Sequence, residues 1–369
     1  MLVRPAGHMT SPLPESWIAC ALAPPRALGG ALGRACLRVE PEDFVVEEDL
    51  GFAPSGVGSH ALLRVRKRNA NTEWVARELA RAAGCRPGDV GYAGLKDRHA
   101  IATQWFSLPL PRGTLGSAPD AVTRALSDLA AIRHTDYEVL EAHAHTKKLP
   151  RGALAGNRFT IRLRDFNVPD TQVADRLNAI ATHGVPNYFG PQRFGRDASN
   201  LKKITPDLRA IPQREQTYVL SAARSLIFNA VLAARVADGS WSTLEPGDVA
   251  NLDARGSVFA VDAVDEQLQQ RMAALDIHPT GPLWGRDELM SQGRIRTLEY
   301  DIASVYDDPC ALVIAAGMRQ ERRALRLAVR DLTSTRQSAD LTLRFWLTKG
   351  SFATTVLREL VEDGAADYE

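Results

Sequence analysis

Apolar and polar positions alternate in short runs through much of the chain, and each run predicts a strand with one buried face. Across 61–68, Leu63 and Val65 fall on one side and Arg64 and Arg66 on the other. Phe159, Ile161 and Leu163 alternate with arginines across 158–164, and Leu341, Leu343, Phe345 and Leu347 repeat the pattern near the end. A further strand is expected through Leu325, Leu327 and Val329, and an aromatic-rich one over 101–108. Residues 38–48 read as a turn at Pro41 leading into a strand that opens at Phe44 and ends in acids. Helical spacing appears at Val75, Leu79 and Ala82, stopped by Gly84, and at Val173, Leu177 and Ile180, stopped by Gly184. Ser221 is placed to cap a helix through Leu226, Ile227, Val231 and Leu232, and Ser351 to cap a closing helix through Val356 and Leu360. Between them the pattern predicts a hairpin over 248–261, a helix over 267–275 and a Pro/Gly-rich loop over 279–285.

The 369 residues suit two domains, or one domain carrying a large insertion. With 45% hydrophobic and 24% charged residues the chain can bury an ordinary core. The first 36 residues, rich in Pro, Gly and Ala, are expected to form a partly mobile extension. Their apolar run from Trp17 to Ala23 is too short to cross a bilayer and fits a signal peptide poorly, and no other stretch reads as a membrane span. Cys20, Cys36, Cys85 and Cys310 lie far apart without a Cys-x-x-Cys pair, which favours reduced thiols in a cytoplasmic protein over a disulfide framework or zinc site.

Net charge is only +1, so any nucleic-acid footprint has to come from clustering. Lys147, Lys148, Arg151, Arg158, Arg162 and Arg164 form one basic region with no acid among them, suited to tracking phosphates. Arg319, Arg322, Arg323, Arg326 and Arg330 form a second, opposed only by Glu321. The segment Asn187-Tyr188-Phe189-Gly190-Pro191-Gln192-Arg193-Phe194-Gly195 cannot form a regular element and reads as a packed hinge or a stacking surface for bases.

Candidate chemistry centres on Gly91-Tyr92-Ala93-Gly94-Leu95-Lys96-Asp97-Arg98-His99-Ala100. Lys96 and Arg98 flank Asp97, and a neighbouring cation favours the ionised carboxylate. On these residues alone Asp97 is either half of a surface ion pair or a nucleophile or base. No G-x-S-x-G, H-E-x-x-H or G-x-x-x-x-G-K-[ST] motif is present. His143 and His145 make a weak metal pair, and Asp301, Asp307 and Asp308 read as a solvated turn. No metal site is assigned.

Three segments carry a family resemblance: 94–100, 187–195 and Gly350-Ser351-Phe352-Ala353-Thr354. With Pro41-Glu42-Asp43-Phe44, Gly152-Ala153-Leu154-Ala155-Gly156-Asn157-Arg158-Phe159 and Ser221-Ala222-Ala223-Arg224-Ser225, they resemble, in order, the TruD family of tRNA pseudouridine synthases. The resemblance runs from about residue 37 to the end of the chain. It implies an α+β fold: a catalytic domain on a mostly antiparallel sheet with permuted segment order (37–183 and 328–369) and an inserted α/β domain (184–327). It implies an isomerase that converts uridine 13 in the D-arm of tRNA without cofactor or metal. Asp97 is then the catalytic aspartate, Phe44, Asn157 and Phe352 line the uridine pocket, and Lys96 and Phe159 accompany them. The partner implied is tRNA, with no membrane or protein partner indicated. Two positions depart from the family's pattern: Arg196-Asp197-Ala198, where a glycine is usual, and Thr348-Lys349, where a proline is usual. A non-catalytic RNA-binding protein and a metal-dependent RNA hydrolase are the alternatives. The first is disfavoured by the Lys96-Asp97 pair, and the second predicts strand cleavage.

Overall fold

Eight strands build the sheet that carries the candidate residues, and they come from both halves of the chain. The computed structural model describes residues 13–111 and 120–362. Two units emerge, one comprising 33–169 with 329–351, the other 13–32, 170–328 and 352–362. In the first unit the strands are β1 (Phe44–Asp49), β2 (His60–Arg68), β3 (Gly91–Tyr92), β4 (Ile101–Pro109), β5 (Tyr137–His145), β6 (Gly156–Leu163), β7 (Arg330–Gln337) and β8 (Asp340–Thr348). Their order is β7-β8-β6-β1-β4-β2-β5, with β3 also on β4. Every pairing is antiparallel except β1 with β4.

Alternation decides which face is buried. Along β1, Phe44, Val46 and Glu48 are buried while Glu47 and Asp49 are exposed. Their partners Ile161, Phe159 and Asn157 on β6, and Leu343, Phe345 and Leu347 on β8, continue the same face. On β2 this face holds Ala61, Leu63 and Val65, against which helix Thr72–Ala82 packs through Val75, Ala76 and Leu79. Helix Asp120–Ala130 adds Leu129 to that core.

β4 has one edge covered by β2 along its whole length. The other edge is shared. β1 pairs with it over 101–103, and β3 takes over at Phe106 and Ser107. Gly91 is required at that hand-over, because a Cβ there would lie 2.5 Å from Leu149 O and 2.6 Å from Ser107 Oγ. Gly94 is not confined in this way; a Cβ would meet only Lys96 Nζ at 3.9 Å.

In the second unit the long helix Gln213–Ala237 runs through the core, and Ser221 lies inside it rather than at its start. The Ser221 hydroxyl instead accepts a bond from Arg193. Its 25 residues are long and apolar enough to cross a membrane, contrary to the reading of the sequence, but 67% of the most apolar stretch is buried inside the unit. Residues 277–283 form a strand at the centre of a four-stranded antiparallel sheet, not a loop. Gly281 lets that strand approach the long helix, since a Cβ would stand 3.3 Å from Phe228 and 2.8 Å from Leu325. Asp301, Asp307 and Asp308 lie in helices Gly293–Ala303 and Asp307–Ala315 rather than in a turn.

Helix Glu15–Leu22 buries Trp17, Cys20 and Ala21 in this core, where the sequence suggests an irregular extension. Helix Asp170–His183 and residues 352–362 belong to this unit too, although the sequence reading assigns both to the sheet domain. The closing helix is Ala353–Leu357 with Phe352 at its N-cap, so Ser351 stands one residue outside the expected role. Tyr188, Phe189 and Phe194 are core residues, with Asn229 bonding both the amide and the carbonyl of Phe189, so the 187–195 segment is packed into this core.

Gly91→Ala should destabilise the protein by about 1–3 kcal/mol through the forced backbone shift. Gly94→Ala should cost well under about 1 kcal/mol. Urea denaturation of both variants checks the difference.

Candidate active site

Sequence alternation breaks at three places on the buried face, and the breaks share one neighbourhood. Glu48 follows Phe44 and Val46 on β1, Gln104 follows Ala102 on β4, and Lys67 follows Leu63 and Val65 on β2. Opposite Glu48 on β6 stands Asn157. Buried polar groups are expensive unless their hydrogen bonds are made. Here most are made to the loop 93–100, which carries Asp97.

Glu48 sits in the gap where β1 has left β4 and β3 has not yet joined it. One carboxylate oxygen accepts from Trp105 N at 2.9 Å, supplying the missing strand partner, and the other accepts from Lys96 Nζ at 2.7 Å. The side chains of Glu48 and Lys96 are 0% and 7% exposed. Gln104 receives the Thr72 hydroxyl at 2.8 Å and donates to Gly94 O at 3.3 Å. Thr72 in turn accepts from Lys96 N at 3.0 Å. Lys67 Nζ donates to Asp97 O and Ala70 O, both at 2.7 Å, and to Lys96 O at 3.4 Å. The backbone of the loop is therefore pinned at Gly94, Lys96 and Asp97 from beneath.

The Asp97 carboxylate points outward, 54% exposed. Its cation is neither Lys96 nor Arg98. Lys96 is committed to Glu48, and Arg98 Nε donates to Asn69 O at 3.4 Å. Arg38, 59 residues away, donates to Asp97 Oδ2 at 3.0 Å. The Arg38 guanidinium lies over the Phe44 ring, 4.0 Å from its centroid.

Phe44 is fixed by the turn before it. Asp43, 1% exposed, accepts from Glu40 N at 2.9 Å and from Arg164 Nε at 2.9 Å, closing the Pro41 turn. Phe44 meets Phe159 edge-on with centroids 6.0 Å apart, and Phe159 stacks on Phe345 at 5.5 Å. Asn157, two residues before Phe159 on the same face, keeps a buried Oδ1 without a hydrogen-bond partner. That orphan acceptor is suited to an N–H donor brought by a ligand. Asp97, Phe44, Phe159, Asn157 and Lys96 thus belong to one unit. Phe352 belongs to the other, half-buried against its core with the Arg193 guanidinium 6.0 Å from its ring centroid.

The arginine clusters have a different role from the one their sequence suggests. Arg158 pairs with Asp331 at 3.2 Å, Arg162 with Asp340 at 2.6 Å, and Arg164 with Asp43 and Glu40. In the second cluster Arg322 is buried in a two-pronged pair with Glu299. Arg326 donates to His278, Met272 O and Ile277 O, and Arg323 to Asn187 while covering Phe189. These side chains hold the fold. Lys147, Lys148 and Arg151 remain at the surface. His143 contacts Glu141, and His145 is buried and accepts from Ser55 N, so the two share no ligand position.

The model of the family described as tRNA pseudouridine synthase D (TruD) matches residues 29–208 and 198–360. Among similar proteins, the tRNA pseudouridine synthase D of Nitrosococcus oceani is 45% identical over 91% of this chain and 93% of its own. That of Methylococcus capsulatus is 44% identical over 92% and 94%. A crystal structure of a putative tRNA pseudouridine synthase D from Methanosarcina mazei superposes with a TM-score of 0.71. It covers 94% of this chain and 98% of its own at 20% identity, a likeness of fold.

Lys96→Met should cost about 3–5 kcal/mol by stranding the Glu48 charge. Adding Glu48→Gln should recover at least about 1 kcal/mol of that loss. A double-mutant cycle by urea denaturation measures the coupling, and additive losses would mean that the pair does not exist.

Proposed function

The chain belongs to the TruD family of tRNA pseudouridine synthases, and on that premise we propose that it isomerises uridine 13 in the D-arm of tRNA with Asp97 as the nucleophile. The observation that carries the reading is the isolation of the Asp97 carboxylate. The Lys96 side chain and the Asp97 carbonyl are bonded inward, while the Asp97 carboxylate faces out, oriented by Arg38.

Isomerisation breaks the N1–C1′ bond and forms C5–C1′. C5 loses a proton and N1 gains one, so no redox equivalent or water is consumed. An ionised carboxylate that adds to C1′ or to the uracil ring is enough to free the base for rotation. The Arg38 guanidinium donates to Asp97 Oδ2 at 3.0 Å and orients the carboxylate.

For this attack the nucleotide must leave its stack, and the released pyrimidine needs a fitted surface. Phe44 and Phe159 supply apolar walls, and the Asn157 amide oxygen matches the uracil N3–H. Phe352 enters the proposal through the sequence resemblance alone. Exposed cations such as Lys147, Lys148 and Arg151 suit the phosphates of a folded RNA. We also propose a cytoplasmic location, in keeping with cysteines that are all unpaired.

Asp97→Asn should lower pseudouridine formation on a tRNA transcript by at least about 10³-fold while tRNA binding stays within about threefold. Turnover that survives the substitution would remove Asp97 as nucleophile. Mapping pseudouridines in tRNA from cells lacking the protein, with and without the restored chain, tests the position. A restored pseudouridine elsewhere than position 13 would overturn that part alone.

A further inference from the structure

Lys67 is the member of the buried polar row for which uridine chemistry has no obvious use. It continues the face begun by Ala61, Leu63 and Val65, each 0% exposed, and is itself 1% exposed. A cation in that setting is tolerated only if its donors are all taken. They are: the ammonium has three N–H bonds to give, and three carbonyl oxygens receive them, those of Ala70, Lys96 and Asp97.

Burial lowers the Lys67 pKa to about 8, with nearby Lys96 acting in the same direction and Asp97 against it. A buried lysine of lowered pKa is the usual material for a Schiff base or a general base. Lys67 is neither. Its three hydrogens are committed to carbonyls, and at 1% exposure it meets no substrate atom.

What it does touch is the backbone of the reacting residue. Asp97 O and Ala70 O are both 2.7 Å from the ammonium. One cation therefore ties the Asp97 loop to the segment that enters helix Thr72–Ala82. We propose that Lys67 is a positioning residue for the isomerisation, holding the Asp97 main chain so that the carboxylate stands at its attack position. The inference rests on Asp97 being the nucleophile.

Removing the ammonium takes the shared donor from three carbonyl oxygens, that of Ala70 in a buried bond and those of Lys96 and Asp97 in partly buried ones, and the loop must shift towards water to satisfy them. A displacement of about 1 Å at a reacting group costs on the order of 10²-fold in rate. The loss falls on the chemical step, because Lys67 is out of reach of the RNA.

The test compares wild type, Lys67→Met and Lys67→Arg in kcat and KM for a tRNA transcript, alongside thermal melting. Lys67→Met is expected to lower kcat by about 10²-fold with KM within about threefold, and Lys67→Arg, which keeps a cation and several donors, to recover at least about tenfold. A folded Lys67→Met that melts earlier but turns over at the wild-type rate would reduce Lys67 to a structural residue and overturn the proposal. Should Lys67→Met not fold, Lys67→Arg against Lys67→Gln decides: at least a tenfold higher kcat for Arg at equal KM supports the role, and equal rates overturn it. Asp97→Asn is assayed in parallel. Activity in that variant removes the nucleophile assignment itself, whereas an inactive Asp97→Asn beside a fully active Lys67→Met removes only the role given to Lys67.

Discussion

The buried pair between Glu48 and Lys96 forms where β1 parts from β4, and the sheet itself creates the need for it. β4 loses its neighbour between Thr103 and Phe106, which leaves the Trp105 amide without a strand partner. Glu48 supplies the acceptor and so brings a carboxylate into the interior. A buried carboxylate requires a cation, and Lys96 is the cation within reach. Since Lys96 adjoins Asp97, the repair of a gap in the ladder also fixes where the outward carboxylate stands. Lys67, Gln104 and Thr72 extend the same logic to the rest of the loop.

Arginines show how charge in a sequence and charge on a surface diverge. Arg158, Arg162 and Arg164 each meet an acid 121 to 178 residues away in the chain. Strand order brings in the partners of Arg158 and Arg162, for β8 and β7 return beside β6 only at the end of the chain, while Arg164 meets Asp43 in the turn before β1. In the second cluster Arg322, Arg323 and Arg326 turn inward, while Arg319 and Arg330 are exposed. Burial lowers the pKa of Arg323 and Arg326, each to about 10, and both stay charged at neutral pH in contact with polar and aromatic groups. Planar guanidinium with several donors suits such positions better than lysine. A count of basic residues therefore overstates the surface available to RNA.

Much of the sheet was legible because period-two alternation survives in β2, β6 and β8, and the family motifs located Asp97, Phe44, Asn157 and Phe159. Arg38 was not legible: 59 residues separate it from Asp97, and only the fold closes that distance. Glu48, Lys67 and Gln104 left a signal that went unread, a polar residue where the alternation asks for an apolar one. The helix at Gln213 was read short because its first two turns carry Gln, Arg, Glu and Thr, which look like loop until the apolar stripe begins. Pro279 and Pro282 hid a strand, since proline normally argues against a central position. Local geometry bears on both departures from the family pattern. Asp197 and Ala198 both take left-handed backbone at φ 53° and 55°, where glycine would be at ease. Lys349 donates its amide to Ala155 O, a bond that a proline there could not make.

Stability and chemistry pull in opposite directions on the buried face. Apolar residues at 48, 67 and 104 would continue the cores on either side, and replacing a buried ion pair by well-packed apolar groups often stabilises a protein. Such a core would leave the 93–100 loop with nothing beneath it to hold carbonyls and amides in place. Under the proposed mechanism, which needs neither oxidant nor water, the protein's contribution is placement of one carboxylate against a base taken out of its stack. A loop hung on fixed charges meets that requirement, because each bond is directional. The polar row is thus the part of the sheet that folding alone would not select, and its presence beneath Asp97 ties the cost of burying charge to the position of the outward carboxylate.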